Sequence, residues 1–269
     1  FDAHVHGMRR LCQRLRQHHL RLNPDKSHFL PATLHVLGQD MTARGSRPSA
    51  RKAHAVRDFP APRNLKHLKS FLGLASHYRK YVPKFVEVAE PLQSLVSRST
   101  PFTWTDLQQR AFDELKRLLT SAPLLSPPRR GWHYILETDA SALAVGGVLT
   151  QRHPHTGEIA VIEYFSTRLT PAQRRYPIAH REILAIAYGC RRFRHYLLGE
   201  CFTAVTDCAA LRSILQFHTP TRLAQWSVLL SEYDFVLKVR KGADNAVADA
   251  CSRYPLLTRE RVARESERR

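Results

Sequence analysis

The segment that most constrains the fold is residues 132–151, WHYILETDASALAVGGVLTQ. Its first half alternates apolar and polar residues as a half-buried strand does, and this run ends on a carboxylate, Asp139. The small residues SALAVGG then predict a bend that starts a second apolar stretch, which ends at Gln151. An Asp at the end of a strand often caps a turn, but it can also hold a metal ion, and this segment alone leaves both interpretations open.

The remainder of the second half predicts a mixed α/β sheet. Extended runs are expected at 132–139, 145–151, 159–166, 201–207 and 234–242, with a long helix from about Pro177 to Leu198 and shorter helices at 209–217, 221–233 and 244–254. Strands that alternate with helices in this way are typical of a sheet covered by helices. The Pro- and Arg-rich stretch 126–131 predicts a linker before the sheet, and the charged tail 256–269 has little to bury.

The first half predicts mostly helices. Residues 1–23 form a basic amphipathic pattern that Asn23-Pro24 interrupts, and 27–30 with 33–41 suggest two short strands joined by Pro31-Ala32. Residues 64–85 place leucines and aromatic residues at helical spacing among lysines and arginines, which fits either a helical-hairpin core or a surface that faces nucleic acid. A further helix follows Thr105 or Asp106, either of which can cap it.

The chain carries 42 Lys and Arg residues against 23 Asp and Glu residues, a net charge of +19. An excess of this size indicates attraction to a polyanion such as nucleic acid, although an ordinary solvated basic surface is the alternative. The five cysteines are odd in number and widely spaced, which argues against a disulfide framework or a zinc ribbon. We expect neither a membrane association nor a signal peptide, since no apolar run has the length or the flanks of one.

Four acids of the second half occupy related positions. Asp139 and Asp207 end the first and fourth predicted strands, Glu182 lies in the long helix, and Asp249 lies in the last one. Each could be a cap or a solvated residue. If the ends of the two strands are neighbours, however, the four carboxylates converge and repel one another unless cations neutralise them. Oxygen ligands suit two Mg²⁺ ions, or Mn²⁺, about 3.5–4 Å apart, an arrangement that hydrolyses phosphodiesters.

Several motifs agree with one known family in order and spacing. YILETDAS with GGVLTQ, HREILAIAYGCRRFRHYLLG, FTAVTD and RLAQWSVLLSEYDFVLKVRKGADNAVADACSR resemble the ribonuclease H domain of Ty3/gypsy-type retrotransposon reverse transcriptases, over nearly all of 132–254. LRLNPDKSHFLPATLHVLGQDM resembles the end of the palm with its primer-grip hairpin, SFLGLASHYRKYVPKF resembles the thumb, and TWTDLQQRAFDELKRLLTSAPLL resembles the connecting helix.

The resemblance implies an α/β fold: a ribonuclease H-like mixed five-stranded sheet flanked by helices, preceded by a small, mostly helical thumb and a partial palm hairpin. The implied modules are a palm end at 1–45, a thumb at 46–100, a connection at 101–130, the ribonuclease H domain at 131–255 and the tail at 256–269. It also implies that Asp139, Glu182, Asp207 and Asp249 bind two Mg²⁺ ions, or Mn²⁺, and cleave the RNA strand of an RNA·DNA hybrid.

Further positions are expected to contact the nucleic acid. Ser141 and Gln151 could read the minor groove, where RNA exposes its 2′-hydroxyl. By the resemblance, Lys26 is a palm lysine. The remaining candidates for backbone contact are basic residues, for which a solvated surface is the alternative: Lys69, Arg79, Lys80, Arg168, Arg174 and Arg175.

Two features depart from the family. No two aspartates are adjacent, so the Y-x-D-D turn of a polymerase centre is missing and the chain is not expected to polymerise alone. Cys208 stands where a His is common after the third acid, which could lower activity. Two alternatives to an active ribonuclease H therefore stay open. The chain could be an inactive nucleic-acid-binding remnant, or part of a polymerase whose catalytic palm lies in a longer parent chain. A homodimer, or the rest of a Pol polyprotein, is a possible partner.

Overall fold

The computed structural model describes residues 2–29, 31–96, 101–209, 211 and 222–240. Two compact units make up the chain, residues 1–34 and residues 35–269. The predicted last helix, with Asp249, and the charged tail lie outside the described residues, as does nearly all of the helix expected at 209–217. The module boundaries expected from the resemblance stay a prediction.

The first unit contains helix α1, Asp2–Gln17, and a 3₁₀ turn, Pro24–Lys26. The Asn23 side chain accepts a hydrogen bond from the backbone N–H of Asp25, and Pro24 occupies the first position of the turn, where its missing N–H costs nothing. The predicted helix is therefore confirmed, but it ends at Gln17, before the interruption expected at Asn23-Pro24. None of the residues of α1 is buried.

Strands β1 (Thr33–Val36), β2 (Gln39–Thr42) and β3 (Gly45–Pro48) form a small sheet in that order. The hairpin expected from the sequence was placed too early. Residues 27–29 form no strand, and the turn lies at Leu37-Gly38 rather than at Pro31-Ala32. Both turn residues have positive φ, and Gly38 tolerates that conformation without strain. Pro31 lacks the N–H that a strand partner would need.

Helices α2 (Ala50–Arg57), α3 (Leu65–His77), α4 (Phe85–Ser94) and α5 (Asp106–Thr120) follow, with a 3₁₀ turn at Arg79–Tyr81. Thr105 caps α5 in a capping box with Gln108, which selects Thr105 from the two predicted caps. The aromatic residues of 64–85 are largely core, because Phe71, Tyr78 and Tyr81 are at most 1% exposed. The sequence allowed either a helical core or a surface that faces nucleic acid for this segment. The structure confirms the helical core for its aromatic residues.

The second sheet has five strands in the order β6-β5-β4-β7-β8. Its members are β4 (His133–Ala140), β5 (Ala144–Arg152), β6 (Ile159–Arg168), β7 (Phe202–Thr206) and β8 (Phe235–Val239). The β4–β5 and β5–β6 pairs are antiparallel, whereas β4–β7 and β7–β8 are parallel. The predicted mixed five-stranded sheet is confirmed, and so is the adjacency of its first and fourth strands.

Two details of the sequence prediction need correction. The long helix expected at 177–198 is an α-helix only over Ile178–Arg192 (α7), and a separate short helix, Arg194–Leu197 (α8), follows it. Gly146 and Gly147 lie inside strand β5, as the extended run expected at 145–151 predicted, and not in the bend that the SALAVGG pattern suggested. Gly147 permits close strand contact there, because a Cβ atom at this position would lie 2.2 Å from the carbonyl oxygen of Glu137. The short helix α6 (Pro171–Arg174) and helix α9 (Arg222–Leu230) complete the described elements.

Helices cover both faces of this sheet. Helix α7 packs on β4 and β5, where Leu136, Leu149 and Phe165 share one core with Ile186. The opposite face contributes Val148 and Tyr164 to a second core, which contains the apolar residues of α3, α4 and α5. Because neighbouring side chains of a strand point to opposite faces, Glu137 and Asp139 belong to the face that α4 and α5 cover.

Candidate acidic active site

The acids at the end of β4 and β7 are brought together by strand direction. β4 and β7 run parallel, with Glu137 opposite Val205. Continued two residues further, this register places Asp207, which follows β7, beside Asp139 near the end of β4. The carboxyl ends of parallel strands meet at one edge of a sheet, where open α/β sheets bind their ligands. The site therefore lies at this edge.

Glu182 reaches the same edge from helix α7. Its Oε1 atom accepts a hydrogen bond from the backbone N–H of Ala140 at 3.1 Å, and its Oε2 atom accepts one from Thr206 Oγ1 at 3.2 Å. The Glu182 side chain is thus fixed between the ends of both parallel strands. Glu182 is only 2% exposed, so its carboxylate has given up most of its water.

The three acids are electrostatically coupled. The pKa of Glu182 is raised from its ordinary 4.5 to about 7, mainly by burial and then by the charges of Asp207 and Asp139, in that order. The hydrogen bonds from Thr206 and Ala140 oppose this shift of the pKa. Like charges raise a carboxyl pKa only at short range, so the structure brings Asp139, Glu182 and Asp207 into one electrostatic cluster.

Asp139 also has a cationic neighbour that the sequence analysis did not predict. The ammonium group of Lys84, at the start of α4, lies 2.8 Å from Asp139 Oδ2. The two residues are 55 positions apart, and no local pattern around Lys84 points to an acid of the sheet. Glu137, on the same strand, is a second acid that the sequence analysis left aside. Burial raises its pKa, while the charge of Arg240 lowers it.

The donor atoms suit a hard divalent cation. Asp139, Glu182 and Asp207 offer carboxylate oxygens, the ligands that Mg²⁺ and Mn²⁺ prefer, and each Glu182 oxygen retains acceptor capacity beyond its one hydrogen bond. Among the residues that the structure describes, no three His, Cys, Asp or Glu side chains are placed to share one ion. The three acids are therefore coupled without forming a closed ligand set, and the fourth candidate, Asp249, is outside the described residues.

Ser141 and Gln151, which were predicted to contact the minor groove of the nucleic acid, make hydrogen bonds within the protein. Ser141 Oγ donates to the carbonyl of Ala144 and accepts from the N–H groups of Leu143 and Ala144, so it closes the turn after Asp139. Gln151 is 1% exposed, and its amide bonds to the backbone of Arg129 and Trp132. A groove contact of Gln151 would require these hydrogen bonds to break. Both contacts stay predictions.

The predicted basic contacts fall into two groups. Four of them make internal contacts: Arg79 donates to the carbonyl of Ser166, Lys80 to Gln39, Arg174 to the carbonyl of Leu169, and Arg168 pairs with Glu90. The other three, Lys26, Lys69 and Arg175, are exposed, with Lys26 in the first compact unit. Their contacts with nucleic acid stay predictions.

Cys208, which replaces the common His, is half-buried at the end of β7. Its backbone N–H donates to Thr206 Oγ1 at 3.2 Å, the same hydroxyl that bonds Glu182. The predicted loss of activity from this replacement stays a prediction. No helix among the described residues is long and apolar enough to cross a membrane.

The chain matches known proteins over most of its length. Residues 104–204 match the family model of the RNase H-like domain found in reverse transcriptase. The chain is 35% identical over 256 residues to the retrovirus-related Pol polyprotein from transposon 297 of Drosophila melanogaster, and 31% identical over 257 residues to the transposon Tf2-3 polyprotein of Schizosaccharomyces pombe. Each match covers 94% of this chain, which spans 24% of the first relative and 19% of the second.

Solved structures share the fold. The foamy viral protease-reverse transcriptase in complex with an RNA/DNA hybrid matches with a TM-score of 0.67 and 21% identity, over 81% of this chain and 30% of that chain. The same enzyme in complex with dsDNA matches with a TM-score of 0.66 and 21% identity, over 81% of this chain and 47% of that chain.

Proposed function

Since residues 104–204 form an RNase H-like domain of the reverse-transcriptase type, in a chain homologous to part of retrotransposon Pol polyproteins, we propose that the chain hydrolyses the RNA strand of RNA·DNA hybrids. The proposed activity is endonucleolytic and depends on Mg²⁺ or Mn²⁺. The observation that supports it best is the buried Glu182 carboxylate. It is hydrogen-bonded to the ends of β4 and β7, and the negative charges of Asp139 and Asp207 raise its pKa.

Each acid has a distinct part in the proposed site. Asp139, Glu182, Asp207 and Asp249 would hold two divalent ions, which when bound activate a water and stabilise the leaving oxygen. Glu182 is fixed by two hydrogen bonds, so its carboxylate keeps one orientation without reorganising during the reaction. Asp139 is 45% exposed at its side chain, and Asp207 is exposed, so both can meet a phosphodiester from solvent.

The proposed substrate follows from charge and from homology. The net charge of +19 attracts a nucleic-acid backbone, and Lys26, Lys69 and Arg175 are exposed for phosphate contact. One structural neighbour is a reverse transcriptase in complex with an RNA/DNA hybrid. We propose that a hybrid binds across the edge that carries Asp139 and Asp207, and that polymerisation would require a palm supplied by a longer parent chain.

A cleavage assay tests the proposal. The full chain is incubated with a hybrid whose RNA strand carries a 5′ label, with Mg²⁺, with Mn²⁺ or with EDTA. We expect internal RNA cuts with either metal, and a loss of at least about 100-fold in Asp139→Asn and Asp207→Asn, since each removes a charged ligand. Asp58→Asn is the matched control, because Asp58 is an exposed acid paired with Arg57, far in sequence from the site.

The outcomes separate the proposal from its alternative. Metal-dependent internal cleavage that Asp58→Asn retains and Asp139→Asn loses supports the nuclease. Hybrid binding without cleavage by the parent protein would overturn it and would favour an inactive nucleic-acid-binding remnant.

A further inference from the structure

Lys84 brings a positive charge to the acidic site from a different part of the chain. It directly precedes helix α4, and its backbone is left-handed, with φ of +50°, a conformation uncommon for residues other than glycine. Its Nζ atom lies 2.8 Å from Asp139 Oδ2, and both side chains are about half-exposed, at 61% and 45%. Lys84 is therefore close enough to form an ion pair with the first acid of the proposed site.

The start of α4 is attached to the sheet beside this acid. The backbone N–H of Val86, two residues after Lys84, donates to Ser166 Oγ at 3.1 Å, and Arg79 donates to the carbonyl of the same serine. Further along α4, Glu90 pairs with Arg168, two residues after Ser166 on β6. Several contacts therefore hold the segment 79–90 against the end of β6.

The strand register relates this attachment to Asp139. Ser166 of β6 pairs with Gly146 of β5, and Gly146 pairs with Asp139 of β4. The three residues form one row across three strands and lie on the same face of the sheet. Neighbouring strands are about 4.8 Å apart, so Asp139 is about 10 Å from Ser166. The side chains of Lys84 and Asp139, extended toward each other along the row, together bridge this distance.

We propose that Lys84 competes with a divalent cation for the Asp139 carboxylate and so weakens metal binding at the nuclease site. This inference rests on the proposed function. An ammonium group and a divalent cation have the same sign of charge, so an ion bound at Asp139 is repelled by a lysine at hydrogen-bond distance from the same carboxylate. Because the pair is half-exposed, water screens it and the effect on metal affinity is moderate. The segment 79–90 thus carries a positive charge that lowers the affinity of the acidic site for the metal ion.

The test measures binding of Mn²⁺ alone to the full chain. Isothermal titration calorimetry compares the parent protein with Lys84→Met, which removes the charge and keeps an unbranched side chain, and with Lys84→Arg, which retains the charge. Neither change affects the α4 cap, because Lys84 accepts the N–H bonds of Glu87 and Val88 through its backbone carbonyl. Lys66→Met is the matched control, an exposed lysine of α3. Asp139→Asn identifies the site of the bound ion.

We expect Lys84→Met to bind Mn²⁺ about threefold to fivefold more tightly than the parent, as removal of one screened ion pair implies, while Lys84→Arg and Lys66→Met stay within about twofold. Equal affinities in Lys84→Met and the parent, or weaker binding in Lys84→Met, would overturn the competition and leave the proposed nuclease intact. Binding that Asp139→Asn does not weaken would place the ion elsewhere and overturn the competition as well. The hybrid-cleavage assay separately decides the nuclease.

Discussion

The Glu182 carboxylate accepts a hydrogen bond from the backbone N–H of Ala140 at 3.1 Å, and Ala140 directly follows Asp139. This contact joins helix α7 to the end of β4 at the residue next to the first acid. The second oxygen of Glu182 is bonded to Thr206, the residue before Asp207. Glu182 is therefore both an acid of the proposed site and the group that ties the ends of the two parallel strands to the helix.

Glu182→Gln should stabilise the metal-free protein at alkaline pH. The pKa of Glu182 is raised from 4.5 to about 7, so the stability linked to its protonation is fully present below pH 4.5 and is lost as the pH rises through 7. A shift of this size corresponds to at most about 3 kcal/mol. Glutamine avoids that loss, because its oxygen can accept from Ala140 and its NH₂ group can donate to Thr206 Oγ1.

Urea unfolding in EDTA at pH 5 and pH 8 measures this effect. We expect Glu182→Gln to exceed the parent in unfolding free energy by about 1–3 kcal/mol at pH 8 and by much less at pH 5. Glu114→Gln is the opposite control: the hydrogen bond from Arg117 lowers the pKa of Glu114, and breaking this exposed pair should cost about 0–1 kcal/mol at pH 8. A Glu182→Gln protein less stable than the parent at pH 8 would contradict the argument.

The sequence predicted the elements that local pattern determines. Alternation along 133–140 and the order of strands and helices placed Asp139 and Asp207 at strand ends, but they left open whether these strands are neighbours, which the parallel β4–β7 pair confirms. The same reasoning placed Glu182 on a helix over that edge. These predictions rest on periodicity and connection, which the sequence itself carries.

Contacts between distant side chains could not be predicted in this way. Nothing around Lys84 indicates Asp139, and nothing around Ser166 indicates that its hydroxyl would accept the N–H of Val86. Gln151 shows the reverse case. A glutamine at a strand end suits contact with the minor groove, and the sequence analysis predicted that role. In the structure, however, the Gln151 amide forms hydrogen bonds with the backbone of the linker before β4. This contact depends on the path of the linker, which the local sequence pattern does not determine.

Ser166→Ala should weaken the attachment of α4 to the sheet. The change removes the acceptor of the Val86 N–H, and Val86 is 4% exposed, so a buried donor loses its partner at a cost of about 1–3 kcal/mol. Urea unfolding measures the loss. Ser94→Ala is the control, since Ser94 is exposed and donates to the carbonyl of Pro91, and it should cost less than about 0.5 kcal/mol. Equal losses in the two variants would show that the Ser166 contact contributes nothing specific.

Cys190 should resist alkylation in the folded protein. It is fully buried in α7, and burial raises the pKa of its thiol to about 12, so the reactive thiolate is scarce at pH 8. Cys12 is exposed and should react with iodoacetamide at the rate of a free thiol. Mass spectrometry after timed alkylation, with and without urea, follows each site. Labelling of Cys190 at the rate of Cys12 without urea would contradict its burial.

Gly147→Ala should disrupt the central strand pair. A Cβ atom at Gly147 would lie 2.2 Å from the carbonyl oxygen of Glu137 and 2.8 Å from the ring of Phe165, so β4 and β5 would have to separate. We expect a loss above about 3 kcal/mol, enough to leave much of the protein unfolded. Gly73→Ala is the matched control: it lies within α3 with nothing within 4 Å of an added Cβ, and alanine should stabilise the helix by about 0.5–1 kcal/mol. Thermal unfolding followed by circular dichroism compares the two, and a Gly147→Ala protein that melts at or above the temperature of the parent would refute the close approach of β4 and β5.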